Sequence, residues 1–356
     1  MISAFKTVAA TCVALLPLGA LPAVAQETIP ITIGAGLPPH SNSVARIIDY
    51  VIPEIDRRLA ENGNYKIEWT TGWSGTIAGQ FDMFEAVQDG IIDIGSVNTL
   101  FEGAKLPMEQ ITYVTPFGGN DLVKTMEIFD KVRAELPELD EQFLRFNQRR
   151  LGVGGLVDYH LLSTFEIKTL EDLQGKKFGT PGLAANWLDG TGATPVAGSL
   201  SEYYNSLKTG VYDGIVIFES GIAPFKFHEV APIITRVGFG SQLTTNLTIN
   251  EDKWQSLPEE VQNILVEVGA EYENKATEGT IALATKSLET AVAEGAKIND
   301  MEPGEVAKLA AALPNIATLW AKSIDDKGLP GTKMLETYMQ MSRDAGITFA
   351  RDWDKE

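Results

Sequence analysis

The three histidines, His40, His160 and His228, are the side chains of this sequence best suited to acid–base chemistry or metal binding near neutral pH. They lie far apart, and none belongs to an HExxH pair that would place two imidazoles on one helix face. The single cysteine, Cys12, cannot by itself supply the thiolates of a zinc site. From these residue types we expect neither a metal site nor a cofactor.

The serine with the most suggestive surroundings is Ser74, in the segment 72–76, Gly-Trp-Ser-Gly-Thr. A nucleophile elbow needs the pattern GxSxG, and here the second glycine follows the serine directly. The glycine-rich segment 152–155 lacks a following lysine and helix signal, so it does not predict a phosphate loop. Because no base, nucleophile and metal ligand come together, we predict that the protein is not an enzyme.

The charge balance limits the partners of this chain. Its formal net charge is −19, with 44% hydrophobic and 22% charged residues, which is ordinary for a globular protein apart from the acidity. Nucleic acids and anionic membrane surfaces both attract basic faces. We therefore expect no nucleic-acid partner and no embedding in a membrane.

The first 25 residues have the pattern of an export signal. Lys6 precedes an apolar run from Val8 to Leu21, and a small-x-small motif follows at Ala23 and Ala25. The run is shorter than the ~20 residues that span a bilayer. This pattern predicts a cleaved signal peptide over 1–25 and an exported protein that begins near Gln26 without cysteine.

The elements that follow alternate between strand and helix. Apolar spacing predicts a strand at 31–37, a helix from about 44 that Pro53 bends or ends, a strand at 65–69, a helix at 81–88 and a strand at 91–97. This order predicts an α/β protein with a largely parallel sheet. Gly90-Ile-Ile-Asp93 and Gly210-Val-Tyr-Asp213 repeat one helix-to-strand pattern, which predicts two lobes of similar design.

A long helical pattern then runs from about 257 to about 297, far beyond the average helix of ~11–12 residues. We expect this helix to brace both lobes. The expected division is lobe I over 26–152 plus about 243–270, lobe II over 153–242 plus about 285–325, and a C-terminal helical segment over 326–356.

Four segments in the second half resemble one known family. They are TLEDLQGKKFGTP at 169–181, GATPV at 192–196, YNSLKTGVYDG at 204–214, and NEDKW with LPEEVQ at 250–262. In this order they are similar to the solute-binding proteins of tripartite ATP-independent periplasmic (TRAP) transporters, in the dicarboxylate-receptor family. The N-terminal strand, the 85–93 unit and the long helix fit the same order, so the resemblance covers nearly the whole exported chain.

The resemblance implies a two-lobe periplasmic binding protein fold (type II-like) with a long lobe-spanning helix and C-terminal helices. It also implies a periplasmic receptor that closes around one small organic molecule. Such a receptor would deliver that molecule to the small and large membrane subunits of a permease driven by an ion gradient. The sequence is silent on oligomeric state, and we take a monomer as the default.

The chain departs from the family where the resemblance implies a carboxylate clamp. Most members carry an Arg just before the "vP" of the 169–181 segment, and this chain has Gly179 there. A second basic position aligns with Tyr159, and the usual QEN after "DG" is replaced by the apolar residues 215–217. The residues that we expect near the ligand are Trp73, Asn98, Asp158, Tyr159, His160, Phe178, Gly179, Asn186, Trp187, Phe218 and Glu219.

Two ligand classes fit these residues. One is an organic acid, aromatic or otherwise bulky, held without the Arg clamp by His160, by backbone N–H groups or by the amides of Asn98 and Asn186. The alternative is an amine or quaternary ammonium compound held by Glu219 or Asp158 within an aromatic cage. Two rival functions remain: an exported enzyme, which would need a catalytic set, and a sensory ligand-binding subunit that is not coupled to transport.

Overall fold

The computed structural model describes residues 26–355, and the predicted signal peptide lies outside that range. The strands are β1 Glu27–Ala35, β2 Tyr65–Gly72, β3 Ile94–Asn98, β4 Gln148–Leu156, β5 Tyr159–Ser163, β6 Lys177–Thr180, β7 Thr194–Ala197, β8 Gly214–Phe218, β9 Ile233–Arg236, β10 Gln242–Asn250 and β11 Lys297–Asp300.

Helices cover both sheets and form the C-terminal part of the described chain. They are α1 Asn42–Arg46, α2 Ile52–Asn62, α3 Met83–Gln88, α4 Ile111–Val114, α5 Leu122–Glu135, α6 Glu138–Leu144, α7 Leu200–Lys208, α8 Glu251–Ser256, α9 Glu259–Ala293, α10 Pro303–Ala312, α11 Ile316–Asp325 and α12 Gly331–Asp344.

Two mixed sheets organise these elements. The first has the strand order β2-β1-β3-β10-β4 and the second β11-β9-β5-β8-β6-β7. In each sheet three parallel strands (β2-β1-β3 and β7-β6-β8) are joined by antiparallel strands that return from elsewhere in the chain. We call the part built on the first sheet lobe I and the part built on the second lobe II. The expected two-lobe α/β architecture is confirmed.

The repeated Gly-x-x-Asp pattern has one structural role in both lobes. Gly90 and Gly210 have φ values of 71° and 73°, a left-handed conformation that suits glycine at a helix end. Asp93 Oδ2 then accepts a hydrogen bond from the N–H of Thr32 at 2.7 Å, and Asp213 Oδ2 accepts one from the N–H of Lys177 at 2.8 Å. Each aspartate thus fixes the start of its strand against the neighbouring parallel strand.

Pro53 is accommodated by a widened turn. Residues Ile47–Val51 form a π-helical turn between α1 and α2, and Pro53 lies in the first turn of α2. A proline inside a regular helix removes one hydrogen bond and clashes with an earlier carbonyl group. The wider turn lets one continuous helical segment cross the face of the first sheet, as the spacing from residue 44 predicts.

Helix α9 is 35 residues long and connects the lobes. Gly269 packs against β4 so closely that a Cβ would lie 2.1 Å from the carbonyl oxygen of Leu151. Further along the helix, Ser287 Oγ donates a 2.6 Å hydrogen bond to the carbonyl oxygen of Glu219, between β8 and the following turn of lobe II. Within residues 26–355, no helix has the length and apolar character of a membrane span.

The chain also crosses between the sheets at two adjacent segments. It passes from β4 to β5 at residues 157–158 and returns from β9 to β10 at residues 237–241. Asp158 Oδ1 accepts a 2.7 Å hydrogen bond from the N–H of Gly240, and the N–H of Phe239 donates to the carbonyl oxygen of Tyr159. These bonds connect the two crossing segments. The exact lobe boundaries expected from the sequence stay a prediction.

Candidate functional site

A cleft separates the two sheets. Its empty volume is about 920 Å³, part of which is open to solvent. Leu37 after β1, Asn98 at the end of β3, Pro181 after β6 and Phe218 at the end of β8 all line it. Open α/β sheets bind ligands outside the carboxyl ends of their parallel strands, and here both sheets present those ends to one cleft.

The wall from lobe I is rich in uncharged polar groups. Ser41 and Ser43 stand at the start of α1, Asn98 ends β3, and Thr245 is its cross-strand partner on β10. Ser41 Oγ and Asn98 Oδ1 are buried and have no hydrogen-bond partner within the described residues. Buried polar atoms are normally paired, so these two oxygens lack the hydrogen bonds that such atoms usually make.

The wall from lobe II is mainly aromatic and apolar. Tyr159 and Phe218 form an edge-to-face pair with ring centroids 5.4 Å apart, and Tyr203 and Leu200 also line this side of the cleft. The hydroxyl groups of Tyr159 and Tyr113 lie 2.9 Å apart, which satisfies both phenols. Burial raises the pKa of the Tyr159 phenol well above its ordinary value, so the ring stays uncharged.

Helix α9 and the end of strand β4 form the back of the cleft. Asn42 Nδ2 donates to the carbonyl oxygen of Ala276 at 2.8 Å and to Thr280 Oγ1 at 2.7 Å, which fixes α1 against α9. Thr280 Oγ1 in turn donates to the carbonyl oxygen of Gly155 at 3.3 Å. These contacts hold Ser41 and Ser43 in place beside the long helix.

The mouth of the cleft is narrowed by a contact between the lobes. The exposed ring of His40, in the loop after β1, lies 5.9 Å from the ring of Phe225, in the loop after β8. Phe225 also stacks on Phe227 with centroids 5.6 Å apart. Among the described residues that line the cleft, none is Asp, Glu, Lys or Arg.

Three of the sequence-predicted site residues line this cleft: Asn98, Tyr159 and Phe218. The structure brings them together from β3, β5 and β8. For the remaining eight, ligand contact stays a prediction that the geometry of the cleft does not favour.

Asp158, His160 and Glu219 were expected at the cleft but lie behind its wall. His160 is buried, and its Nε2 lies 2.9 Å from Glu219 Oε1 and 3.9 Å from Asp158 Oδ2. Because strand side chains alternate in direction, His160 points away from the face that Tyr159 presents. Burial raises the pKa of Asp158 above its ordinary value, while His160 and the Gly240 N–H oppose that shift.

Phe178 and Gly179 lie on β6 inside lobe II. The Phe178 side chain is fully buried in the core. A Cβ at Gly179 would lie 2.8 Å from the Tyr212 ring and 3.0 Å from the Tyr203 ring. The space that an arginine would need at this position is therefore filled by two tyrosines.

Trp187, Asn186 and Trp73 also lie off the cleft wall. The Trp187 ring is fully buried and stacked between Tyr113 and Phe239, with centroids 5.5 and 4.8 Å away. Asn186 lies on the same short helical segment, Gly182–Leu188, and is absent from the lining. The Trp73 ring packs against the core beside the first sheet.

Several lining residues escaped the sequence analysis. Ser41, Gln80 and Phe225 lie in segments outside the regular strands, and no motif marks them. For Ser41 a signal existed, because the loop that follows the first parallel strand of an α/β sheet borders the ligand crevice. Phe225 carries no such signal, since it belongs to a long apolar loop.

The family model for bacterial extracellular solute-binding protein, family 7, matches residues 54–323. The chain is also 26% identical over 204 residues to the uncharacterized protein YiiZ of Salmonella typhimurium. That match covers 55% of this chain and 59% of YiiZ, so it spans somewhat more than half of that relative.

Solved TRAP solute-binding proteins share the fold at low identity. The protein from Rhodoferax ferrireducens in complex with copurified benzoate superposes with a TM-score of 0.78 at 17% identity, covering 89% of this chain and 98% of that one. The periplasmic ectoine-binding protein of the Halomonas elongata TeaABC TRAP-transporter gives 0.76 at 19%, covering 89% and 100%. A marine metagenome protein in complex with pyroglutamate gives 0.76 at 19%, covering 88% and 99%.

Proposed function

Because this chain belongs to bacterial extracellular solute-binding protein family 7, the TRAP solute-binding family, we propose that it is an exported receptor for one small organic molecule. The receptor holds that molecule in the cleft between its lobes. It then delivers the molecule to the membrane subunits of a TRAP permease in the same cell envelope.

The cleft itself carries this proposal. Its walls come from both sheets, and two buried oxygens on the lobe I side have no hydrogen-bond partner among residues 26–355. A ligand that touches both walls stabilises the arrangement in which the lobes are close, because it binds that arrangement better than an open one. The paired crossing segments at 157–158 and 237–241 are suited to act as the hinge.

The energetic demand on such a site is modest. A micromolar dissociation constant corresponds to about −8 kcal/mol. A ligand ring that packs against Tyr159 and Phe218 and hydrogen bonds to the two unpaired oxygens can together supply a binding free energy of this order.

The proposed solute is a small ring-containing organic compound. Among the solved proteins of this fold, two are in complex with benzoate or pyroglutamate and a third is an ectoine-binding protein. The organic acids and the amines, the two charged ligand classes considered from the sequence, meet no Asp, Glu, Lys or Arg among the described residues that line the cleft. The organic acid finds no guanidinium at Gly179, and the amine finds Glu219 and Asp158 turned away and already partnered.

A thermal-shift screen tests the proposal. The purified exported chain is heated with a mixed library of organic acids, amines, amides and alcohols, and hits are titrated by isothermal calorimetry. We expect a few related solutes to raise the melting temperature and to bind with one site per chain. A library that contains all four classes and shifts nothing would contradict the receptor function.

The Phe218→Ala variant tests whether a solute found in the screen binds in the cleft. Removing this half-buried ring takes away part of the lobe II wall, so affinity should fall at least about tenfold, which is about 1.4 kcal/mol. Leu319→Ala is the matched control, because Leu319 is 63% exposed on α11 and remote from the cleft. Equal affinity in both variants would place the solute elsewhere.

A further inference from the structure

The lining of the cleft is uncharged all round. Among its described residues none is Asp, Glu, Lys or Arg, and the one histidine, His40, stands exposed at the mouth. At Gly179 the rings of Tyr203 and Tyr212 occupy the space for a basic side chain. Asp158, His160 and Glu219 bind one another or the backbone behind Tyr159.

The two walls of the cleft differ in their balance of polar and apolar groups, although lobe I also contributes Leu37, Leu100 and Phe101, and lobe II also contributes Ser199 and Ser220. Lobe II contributes ring and aliphatic faces, chiefly Tyr159, Tyr203 and Phe218. Lobe I contributes hydroxyl and amide groups, and the two unpartnered oxygens, Ser41 Oγ and Asn98 Oδ1, are both on its side. A ligand that satisfies both walls has an apolar ring on one edge and a neutral polar group on the other.

We propose, on the basis of the receptor function, that this cleft selects an uncharged ring compound bearing an amide or hydroxyl group. The ring packs on the lobe II wall, and the polar group exchanges hydrogen bonds with Asn98 and Ser41. An asparagine amide both donates and accepts, so it pairs well with another amide or with a hydroxyl group.

Carboxylate and ammonium analogues of the same shape are rejected for a physical reason. An ion that enters this cleft loses its hydration, and the part of the chain that the structure describes places no Asp, Glu, Lys or Arg side chain on either wall to compensate. A carboxylate could accept hydrogen bonds from the Asn98 amide and the Ser41 hydroxyl group, but these neutral donors do not supply an opposite charge. The formal net charge of −19 further disfavours an anion.

Matched probes test the inference directly. Benzamide, benzyl alcohol, benzoate and benzylammonium share one ring, and the corresponding naphthalene compounds extend it. Calorimetry and ligand-observed NMR at neutral pH should show that the amide or the alcohol of a series binds at least about tenfold more tightly than its charged counterparts. Two results would overturn the inference and still support the receptor function. One is a charged probe that binds as tightly as its neutral counterpart. The other is a charged solute from the library that binds although none of the neutral probes does. Absence of binding by every probe and every library solute removes both.

Variants at position 98 give a second test. Asn98→Asp should raise the affinity for the ammonium probe relative to the amide at least about tenfold, because it adds the missing counter-charge. Asn62→Asp is the matched control, since Asn62 is exposed at the end of α2. If Asn98→Asp does not fold, Ser41→Ala is expected to weaken amide binding severalfold while circular dichroism is unchanged. Unchanged probe selectivity in Asn98→Asp, or unchanged amide affinity in Ser41→Ala, contradicts the assignment.

Discussion

The missing side chain at Gly179 lets the rings of Tyr203 and Tyr212 pack against β6. A larger residue there would have to displace both rings from a buried position, since Tyr203 is 1% and Tyr212 5% exposed. The basic clamp that the resemblance implies is thus replaced by aromatic packing. This replacement explains why the cleft can be uncharged.

The Gly179→Ala variant checks that packing. We expect it to lower the free energy of unfolding by about 1–3 kcal/mol, the range typical of overpacked cores. Urea denaturation measures the change. Lys177→Ala is the control on the same strand, because that side chain is exposed, and it should change stability by less than about 0.5 kcal/mol. Equal stability of the two variants would show that the tyrosines have room to move.

At single positions the sequence predicts the site only in part. Asn98 and Phe218 close their strands, and strand ends are readable from the hydrophobic pattern. The direction of a side chain at the start of a strand is harder to predict, as Tyr159 and His160 show by facing opposite ways. Trp187 was expected near the ligand, yet its neighbours Tyr113 and Phe239 come from distant segments and enclose it.

At the level of elements, α9 depends on close backbone contact with β4. Gly152 and Gly269 face each other, and a Cβ at Gly152 would lie 2.7 Å from the carbonyl oxygen of Gly269. Gly269 therefore lets the long helix approach the strand closely. Such contacts cannot be inferred from helical periodicity alone.

The Gly269→Ala variant tests the helix–strand contact. Alanine favours helix by about 1 kcal/mol, so stabilisation is the default expectation for a helical glycine. Here the added methyl group would meet the Leu151 carbonyl, and we expect a net loss of about 1–3 kcal/mol instead. Gly304→Ala in α10 is the control, because nothing lies within 4 Å of its added Cβ, and it should be neutral or stabilising. Thermal unfolding of both variants measures these changes in stability. If Gly269→Ala stabilised the protein, the close contact with Leu151 would be refuted.

The antiparallel strands were the elements least visible in the sequence. β10, QLTTNLTIN, is buried at every position although more than half of it is polar. Its polar groups find partners from remote segments: Asn246 Nδ2 donates to Glu109 Oε2 at 2.9 Å, and Thr248 Oγ1 donates to Gln148 Oε1 at 2.9 Å. Burial that depends on such tertiary partners leaves no local hydrophobic pattern to read.

For the whole molecule, the repeated Gly-x-x-Asp pattern made the two-lobe design predictable. The repeat marks corresponding points of two sheets that share an arrangement of three parallel and two antiparallel strands, to which the second sheet adds β11. The crossing segments and α9 then connect the lobes, and Asp158 bonds one crossing segment to the other. Asp158, expected to touch the ligand, is better placed to hold the hinge.

The central claim is that the lobes close over one solute, and the distance between them tests it most directly. Lys66→Cys on β2 and Glu202→Cys on α7 put exposed labelling sites on opposite lobes, and the natural Cys12 lies in the predicted signal peptide. Pulsed electron–electron resonance on the spin-labelled pair, with and without the solute that gives the largest thermal shift, reports the distance distribution. We predict that saturating solute moves the distribution to shorter distances and narrows it. An unchanged distribution at saturation would contradict the account.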